Sequence, residues 1–113
     1  MSNPKNLEEC YEALNSLLSK EDIEDLKSMP EKKAAAEAHH GIGRWLRNNW
    51  GLWGSSDIKD YFKSLGIWHA DDMSGIIIDS YHRHLNGKDI DLEGQVKYYK
   101  DYWKKMKVGS NDM

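Results

Sequence analysis

The stretch Arg44-Trp45-Leu46-Arg47-Asn48-Asn49-Trp50-Gly51-Leu52-Trp53 crowds two arginines, two asparagines and three tryptophans into ten positions. Planar guanidinium donors beside aromatic faces suit a carboxylate, a phosphate or a nucleobase. The same pairing suits the anchor residues of a protein interface. A second polar group lies in Trp68-His69-Ala70-Asp71-Asp72, where an imidazole precedes two carboxylates. Acids at that place favour the positive end of a helix dipole, so capping competes there with ligand binding. His84 is the third candidate, because its spacing places it on an otherwise apolar helix face.

Metal and nucleophile chemistry have weaker support. Glu37-x-x-His40 and Asp79-x-x-His82 imitate the half-motifs of di-iron bundles, but both pairs are expected on polar faces, whereas bundle metals sit inside. His82 and His84, two apart on a helix, diverge. Cys10 is the single cysteine and makes no zinc site. The usual motifs of nucleophilic and phosphate-loop chemistry are absent. The chain is therefore expected to be non-catalytic, with no cofactor and no resident metal.

These side chains must be held by helices, because apolar spacing is helical nearly throughout and no sustained two-residue alternation occurs. The fold class is all-α: a bundle-like array of five or six helices in one domain over residues 1–113, with a frayed tail at 109–113. Asn6 with Glu9, and Ser19 with Asp22, form capping-box starts for the first two helices. A third helix is expected from Pro30 to about Asn49, closed by Gly51 as a left-handed cap. Ser55 or Ser56 starts a fourth, and Leu65-Gly66-Ile67 stops it in a Schellman pattern. A fifth runs over roughly 71–86, and a sixth starts at Asp91.

Stepped at 100° per residue, one uninterrupted third helix puts Ala34, Ala35, Ala38, Ile42, Trp45, Leu46 and Asn49 on the core face. Glu37, His40, Arg44, Arg47 and Asn48 then share the solvated face. Trp45 is thus expected inside and Arg47 outside, while Trp50 and Trp53 fold back just past the helix end. On the fifth helix Met73, Ile76, Ile77, Tyr81 and Leu85 should face the core with Ser80 and His84, and His82 should point away. On the last, Leu92, Val96, Tyr99, Tyr102, Trp103 and Met106 should pack inward, beside a stripe of Lys97, Lys100, Lys104 and Lys107.

Charge narrows the partners. The 113 residues are 39% apolar and 31% charged with a formal charge of −3, which disfavours general binding to nucleic acid or a membrane surface. Residues 1–31 carry eight acids against three lysines, net −5, and residues 97–107 carry five lysines against one aspartate, net +4. With its rings expected to face inward, the basic last helix should bind nucleic acid weakly at most. From a lone cysteine, no apolar run of membrane-spanning length and no export pattern, a cytoplasmic location is expected.

The blocks HHGIGRWLRNNWGLWGSS, YFKSLGIWHADDMSGIIIDSYHRHLNG and DLEGQVKYYKDYW resemble a family of small bacterial or phage domains of unknown function. The resemblance covers most of residues 39–103. It implies an all-α fold, names no reaction, and draws attention to Arg47, Asn48, Trp50, Trp53, His69, Asp71 and Asp72. Proline is expected in such relatives where this chain has Ala70, which would make His69 the helix cap. The leading functional expectation is a non-catalytic module that engages a protein partner stoichiometrically, as inhibitor and immunity proteins do. A competing expectation is a binder of a nucleotide or other phosphorylated small molecule, with Arg44 and Arg47 on its oxygens and Trp50 or Trp53 on its base. A third is a metal-dependent hydrolase using His40, His69, Asp71 and Asp72.

Overall fold

A computed structural model describes residues 3–111, with side chains described as far as Met106. Seven helices follow one another: α1 (Leu7–Leu17), α2 (Lys20–Ser28), α3 (Glu31–His40), α4 (Ile42–Asn49), α5 (Asp57–Ser64), α6 (Ala70–Leu85) and α7 (Leu92–Asn111). No strand occurs among the described residues. The starts and stops follow the local chemistry. Asn6 accepts from the Glu9 amide and Ser19 from the Asp22 amide, at 2.9 and 3.0 Å, and Ser56 caps α5 through the Lys59 amide. The reciprocal limb of the first capping box goes to Lys5 instead of Asn6, with the Glu9 carboxylate accepting from the Lys5 amide at 3.0 Å. Gly51, Gly66 and Gly87 all take positive φ at turns, and Ile67 follows Gly66 into the core with its amide bonded to the Phe62 carbonyl.

The expected count of five or six helices is corrected by one break, at Gly41. The segment taken as one helix from Pro30 to Asn49 becomes α3 and α4, and the backbone turns at Gly41 with φ −100° and ψ −98°. On α3 the buried residues are Ala34 and Ala38; on α4 they are Gly43, Leu46 and Arg47, followed by Trp50 at the cap. An unbroken helix would have continued the stripe through Ile42, Trp45, Leu46 and Asn49. The stripe observed on α4 is that one moved on by a single residue, a rotation of about 100°. Trp45 is consequently not a core residue: it is 42% exposed, and its ring meets the edge of Trp50. Asn49 is exposed as well. Arg47, expected on the solvated face, is only 6% exposed. A Cβ at Gly43 would lie 3.0 Å from the Ala38 carbonyl and 3.3 Å from Ile78 Cδ1, so the close approach of α3, α4 and α6 depends on a missing side chain there.

Helix α6 is the axis of the array and packs against α1, α2, α3, α4 and α7. Nine of its sixteen residues are buried, including Ser74, Ser80 and His82. A helix enclosed on most of its circumference has little room for a polar face, and this reverses the expected roles of its histidines. His82 is buried and its Nε2 donates to the Met29 carbonyl at 2.7 Å. His84, expected at the centre of the core face, is exposed in the last turn and stacks on Tyr11 with ring centroids 4.5 Å apart. Asp79 and His82 accordingly do not lie on a solvated face, whereas Glu37 and His40 do.

The core contacts of α7 among the described side chains lie in its first half. Leu92, Val96 and Tyr99 pack against the core, and Gly75 on α6 admits the Tyr99 hydroxyl, which a Cβ at that position would meet at 2.9 Å. From Asp101 to Met106 every side chain is exposed, so Tyr102, Trp103 and Met106 do not form the inner face expected for them. The frayed tail expected at 109–113 is helical as far as Asn111; residues 112–113 lie outside the described residues. The side chain of Lys107, the last lysine of the expected stripe, also lies outside them.

Stability should follow this arrangement. Ile77 is fully buried on α6, and Ile77→Ala is expected to cost about 2–5 kcal/mol in a denaturant melt. Arg47→Ala leaves the His39 carbonyl unpaired and Ser74 Oγ with only its bond to the Asp71 carbonyl, and should cost about 3 kcal/mol. Trp45→Ala, at a half-exposed site, should cost less than about 2 kcal/mol. Melts in which Trp45→Ala is the more damaging of the two would restore the unbroken third helix.

Candidate functional site

Of the residues in the 44–53 segment, those with the strongest chemistry are consumed by the fold. Arg47 Nη1 donates to Ser74 Oγ at 2.9 Å and Nη2 to the His39 carbonyl at 3.0 Å, while Nε lies 3.3 Å from the Asp71 carboxylate. One guanidinium therefore ties α3, α4 and the first turn of α6 together. It also joins the two polar segments singled out in the sequence, with Asp71 as its outer partner. Trp50 is buried, so neither it nor Arg47 is open to a ligand. Asn48 and Trp53 are exposed and bonded to each other, indole to amide oxygen, at 3.2 Å. Arg44 is exposed without a hydrogen bond or ion pair to the described residues, and His40 lies edge-on to His39. The expected Arg44/Arg47/Trp50/Trp53 constellation is not assembled.

His69 and Asp72 meet a partner that sequence reasoning had assigned to the core. Because α7 runs past the end of α5, Trp103 reaches the α5–α6 turn, and its ring stacks on His69 at 3.9 Å between centroids. Its Nε1 donates to Asp72 Oδ2 at 2.7 Å. Burial holds the Asp72 carboxyl above the usual carboxylate range, against the opposing pull of that indole bond. His69 is the N-cap residue of α6 but makes no side-chain capping bond; its ring is turned to Trp103 instead. Around this latch lies a groove of about 390 Å³ lined by Gly66, Ile67, Trp68, Tyr99, Lys100, Asp101 and Lys104 together with His69, Asp72 and Trp103.

Trp68 dominates the rim. It is 64% exposed, with the Lys63 ammonium 5.7 Å from its ring centroid, and Trp103 is 39% exposed. Lys100 and Lys104 add positive charge on the same side, while the neighbouring Lys97 is paired with Asp101. Trp68, Trp103, Lys100 and Lys104 were not among the site residues expected from sequence. One signal was available for Trp68: a Schellman stop turns the residue after its glycine inward, and Ile67 is that residue. The next side chain in an extended connection then points outward.

The groove can hold an anionic or aromatic group between indole faces and ammonium ends. A shared metal is another matter: among the described residues no three His, Cys, Asp or Glu side chains come together to hold an ion. His40, His69, Asp71 and Asp72, the set expected for a hydrolase, are directed to His39, Trp103, Arg47 and Trp103 respectively.

Replacing Trp103 tests the latch. Trp103→Phe keeps a ring for His69 but deletes the donor to Asp72, so the carboxyl should titrate at still higher pH in a carbon-detected NMR titration. Trp103→Ala should cost about 1 kcal/mol, as a half-exposed ring does, and not the full price of a core aromatic. An unchanged Asp72 titration in Trp103→Phe would mean that the indole bond is not formed in solution.

A family model described as a domain of unknown function, DUF6794, matches residues 3–85. The match takes in α1 to α6, with His69 and Asp72, and ends before α7. No curated protein and no solved structure matches the chain.

Proposed function

This chain belongs to the DUF6794 family, and on that premise we propose that it is a non-catalytic binding module that engages an acidic segment of a protein partner. The docking face is the groove between the α5–α6 turn and α7. The observation that carries this reading is the exposure of Trp68 beside Trp103 in a cationic setting. Large exposed aromatics are the usual anchors of interfaces. Trp103 is already held by His69 and Asp72, so little ordering cost accompanies its use.

Charge selects the partner. Lys63, Lys100 and Lys104 surround the two indoles, and Tyr102 and Met106 continue the exposed apolar surface along α7. An acidic segment with one or two apolar side chains matches both features, and the pairing speeds encounter as well as fixing register. The inhibitor-like mode expected from the sequence is compatible with such one-to-one capture.

Nucleotide binding, if it occurs, uses this groove, since Arg47 and Trp50 are interior. Single-stranded nucleic acid is a further competitor, because Tyr102 and Trp103, two of the rings whose expected burial argued against it, are exposed. The overall charge of −3 and the carboxylates of Asp72 and Asp101 in the groove act against any anion there, and most against a strand charged at every unit.

The test is a displayed library of acidic peptides containing leucine or aromatic residues, with selected binders measured by fluorescence. Trp68→Ala and the pair Lys100→Glu/Lys104→Glu should each weaken binding at least about 30-fold, equivalent to about 2 kcal/mol. Trp53→Ala, an exposed indole elsewhere, should leave it unchanged, and melting should be unaffected in all three. Peptides that bind all variants equally would overturn the proposal. So would tighter binding of a nucleoside phosphate or a single-stranded oligonucleotide, lost through the same substitutions.

A further inference from the structure

The groove has a counterpart elsewhere on the same chain. Beside the break at Gly41, an apolar hollow of about 310 Å³ is lined by Leu14, Leu17, Leu18, Gly41, Ile42 and Trp45. Leu17 is 51% exposed there and Trp45 42%. A solitary apolar side chain on a surface is ordinary, but two large ones around one concavity make a patch. A second hollow, of about 340 Å³, shares Leu18, Gly41 and Ile42 with the first and brings Asp22, Asp25 and Glu37 to its edge.

The charge of this α1–α2 corner is uncompensated. Residues 17–25 hold Glu21, Asp22, Glu24 and Asp25 against Lys20 alone. None of Asp22, Asp25 and Glu37 forms an ion pair with a described residue. The groove between the α5–α6 turn and α7 is opposite in sign. Its two carboxylates are engaged, Asp72 by the Trp103 indole and Asp101 by Lys97. Lys100 and Lys104 are exposed without an ion pair to the described residues, and Lys63 stands beside the Trp68 ring. The linings of the corner and of the groove have no residue in common. One copy of the chain can therefore offer its corner while its groove receives another.

We propose that the groove of one copy of this chain docks on the α1–α2 corner of a second copy. The inference rests on the reading of the groove as a receiver of acidic, apolar surface, and it names an occupant for it. Trp68, 64% exposed, seats in the hollow between Leu17 and Trp45. Lys63, Lys100 and Lys104 face Asp22, Asp25 and Glu37. A ring entering an apolar hollow supplies the desolvated centre of the contact, and the charges around it fix the register. The two surfaces differ, so the contact is heterologous: copies add head to tail, and the assembly grows with concentration unless the series closes into a ring. A foreign acidic segment must displace the second copy to reach Trp68, so self-association and partner binding exclude each other at every groove.

The experiment is sedimentation velocity of the full chain as its concentration is raised from micromolar to millimolar, with charge reversals on each side of the contact. Lys100→Glu/Lys104→Glu makes groove and corner both acidic, and Asp22→Lys/Asp25→Lys makes both basic. All four positions are exposed, so each variant should keep its helical fold by circular dichroism. Alone, each should associate at least about tenfold more weakly than the wild type. Mixed in equal amounts they should regain the wild-type strength to within about threefold, because reversed groove then meets reversed corner and unaltered groove meets unaltered corner. Leu17→Gln and Trp68→Ala should each weaken association at least about tenfold, whereas Trp53→Ala should not. The inference is overturned by a wild-type chain that stays monomeric at millimolar concentration, by reversed variants that associate as the wild type does, or by a mixture no stronger than its components. Acidic peptides that occupy the groove of such a monomeric chain would overturn this inference alone and leave the wider reading of the groove in place. Complementation by the mixture with no acidic peptide binding would support the self-contact and overturn the wider reading.

Discussion

The enclosure of α6 is the constraint from which most of this molecule follows. A sixteen-residue helix surrounded by five others cannot keep a solvated stripe. Its polar residues must be partnered inside, because each buried group without a partner costs on the order of 1–3 kcal/mol. Neighbouring elements supply most of what is needed, leaving His82 Nδ1 as the one buried polar side-chain atom of α6 without a partner among the described residues. Arg47 from α4 reaches Ser74, the Met29 carbonyl after α2 accepts from His82, and Gln95 from α7 reaches Ser80. Glu31 from α3 clasps Arg83 with both oxygens. Each is a cross-element tie, so the same bonds that satisfy α6 also fix where the other helices sit.

Two exposed features arise where that enclosure ends. Helix α7 has α6 to pack on only as far as Tyr99, and its later rings are left to solvent except where Trp103 finds His69 and Asp72. The α5–α6 turn, short and stopped by Gly66, brings Trp68 out beside them. Aromatic exposure here results from one helix outrunning its support, and the lysines of α7 then set the sign of the surface.

The abundance of aromatic and cationic residues in 44–53 has a structural explanation in larger part than a functional one. Leu46, Arg47, Trp50 and Leu52 are buried, whereas Arg44, Trp45, Asn48 and Trp53 are not. The stretch carries α4 into the α5 loop, and the Arg47 guanidinium bonds that helix to the α6 hydroxyl beneath it. This is why composition alone misled: an arginine and a tryptophan look the same in sequence whether they grip a ligand or another helix.

What the sequence determined by itself was everything set within one or two turns. Helical class, the caps at Asn6 and Ser19, a serine cap at 55 or 56, the glycine stops, and the first-turn position of Asp71 and Asp72 all rest on local hydrogen bonding and backbone sterics, which neighbours in the chain suffice to define. What tertiary structure decided was orientation. A break at Gly41 shifted the buried stripe by one residue and exchanged Trp45 for Arg47, a change invisible to periodicity because both stripes are regular. Which of His82 and His84 is buried depended on how many helices surround α6, and whether Trp103 faces the core depended on where the support of α7 stops. Those are matters of which surfaces remain after every other helix has packed, and no local interaction encodes them.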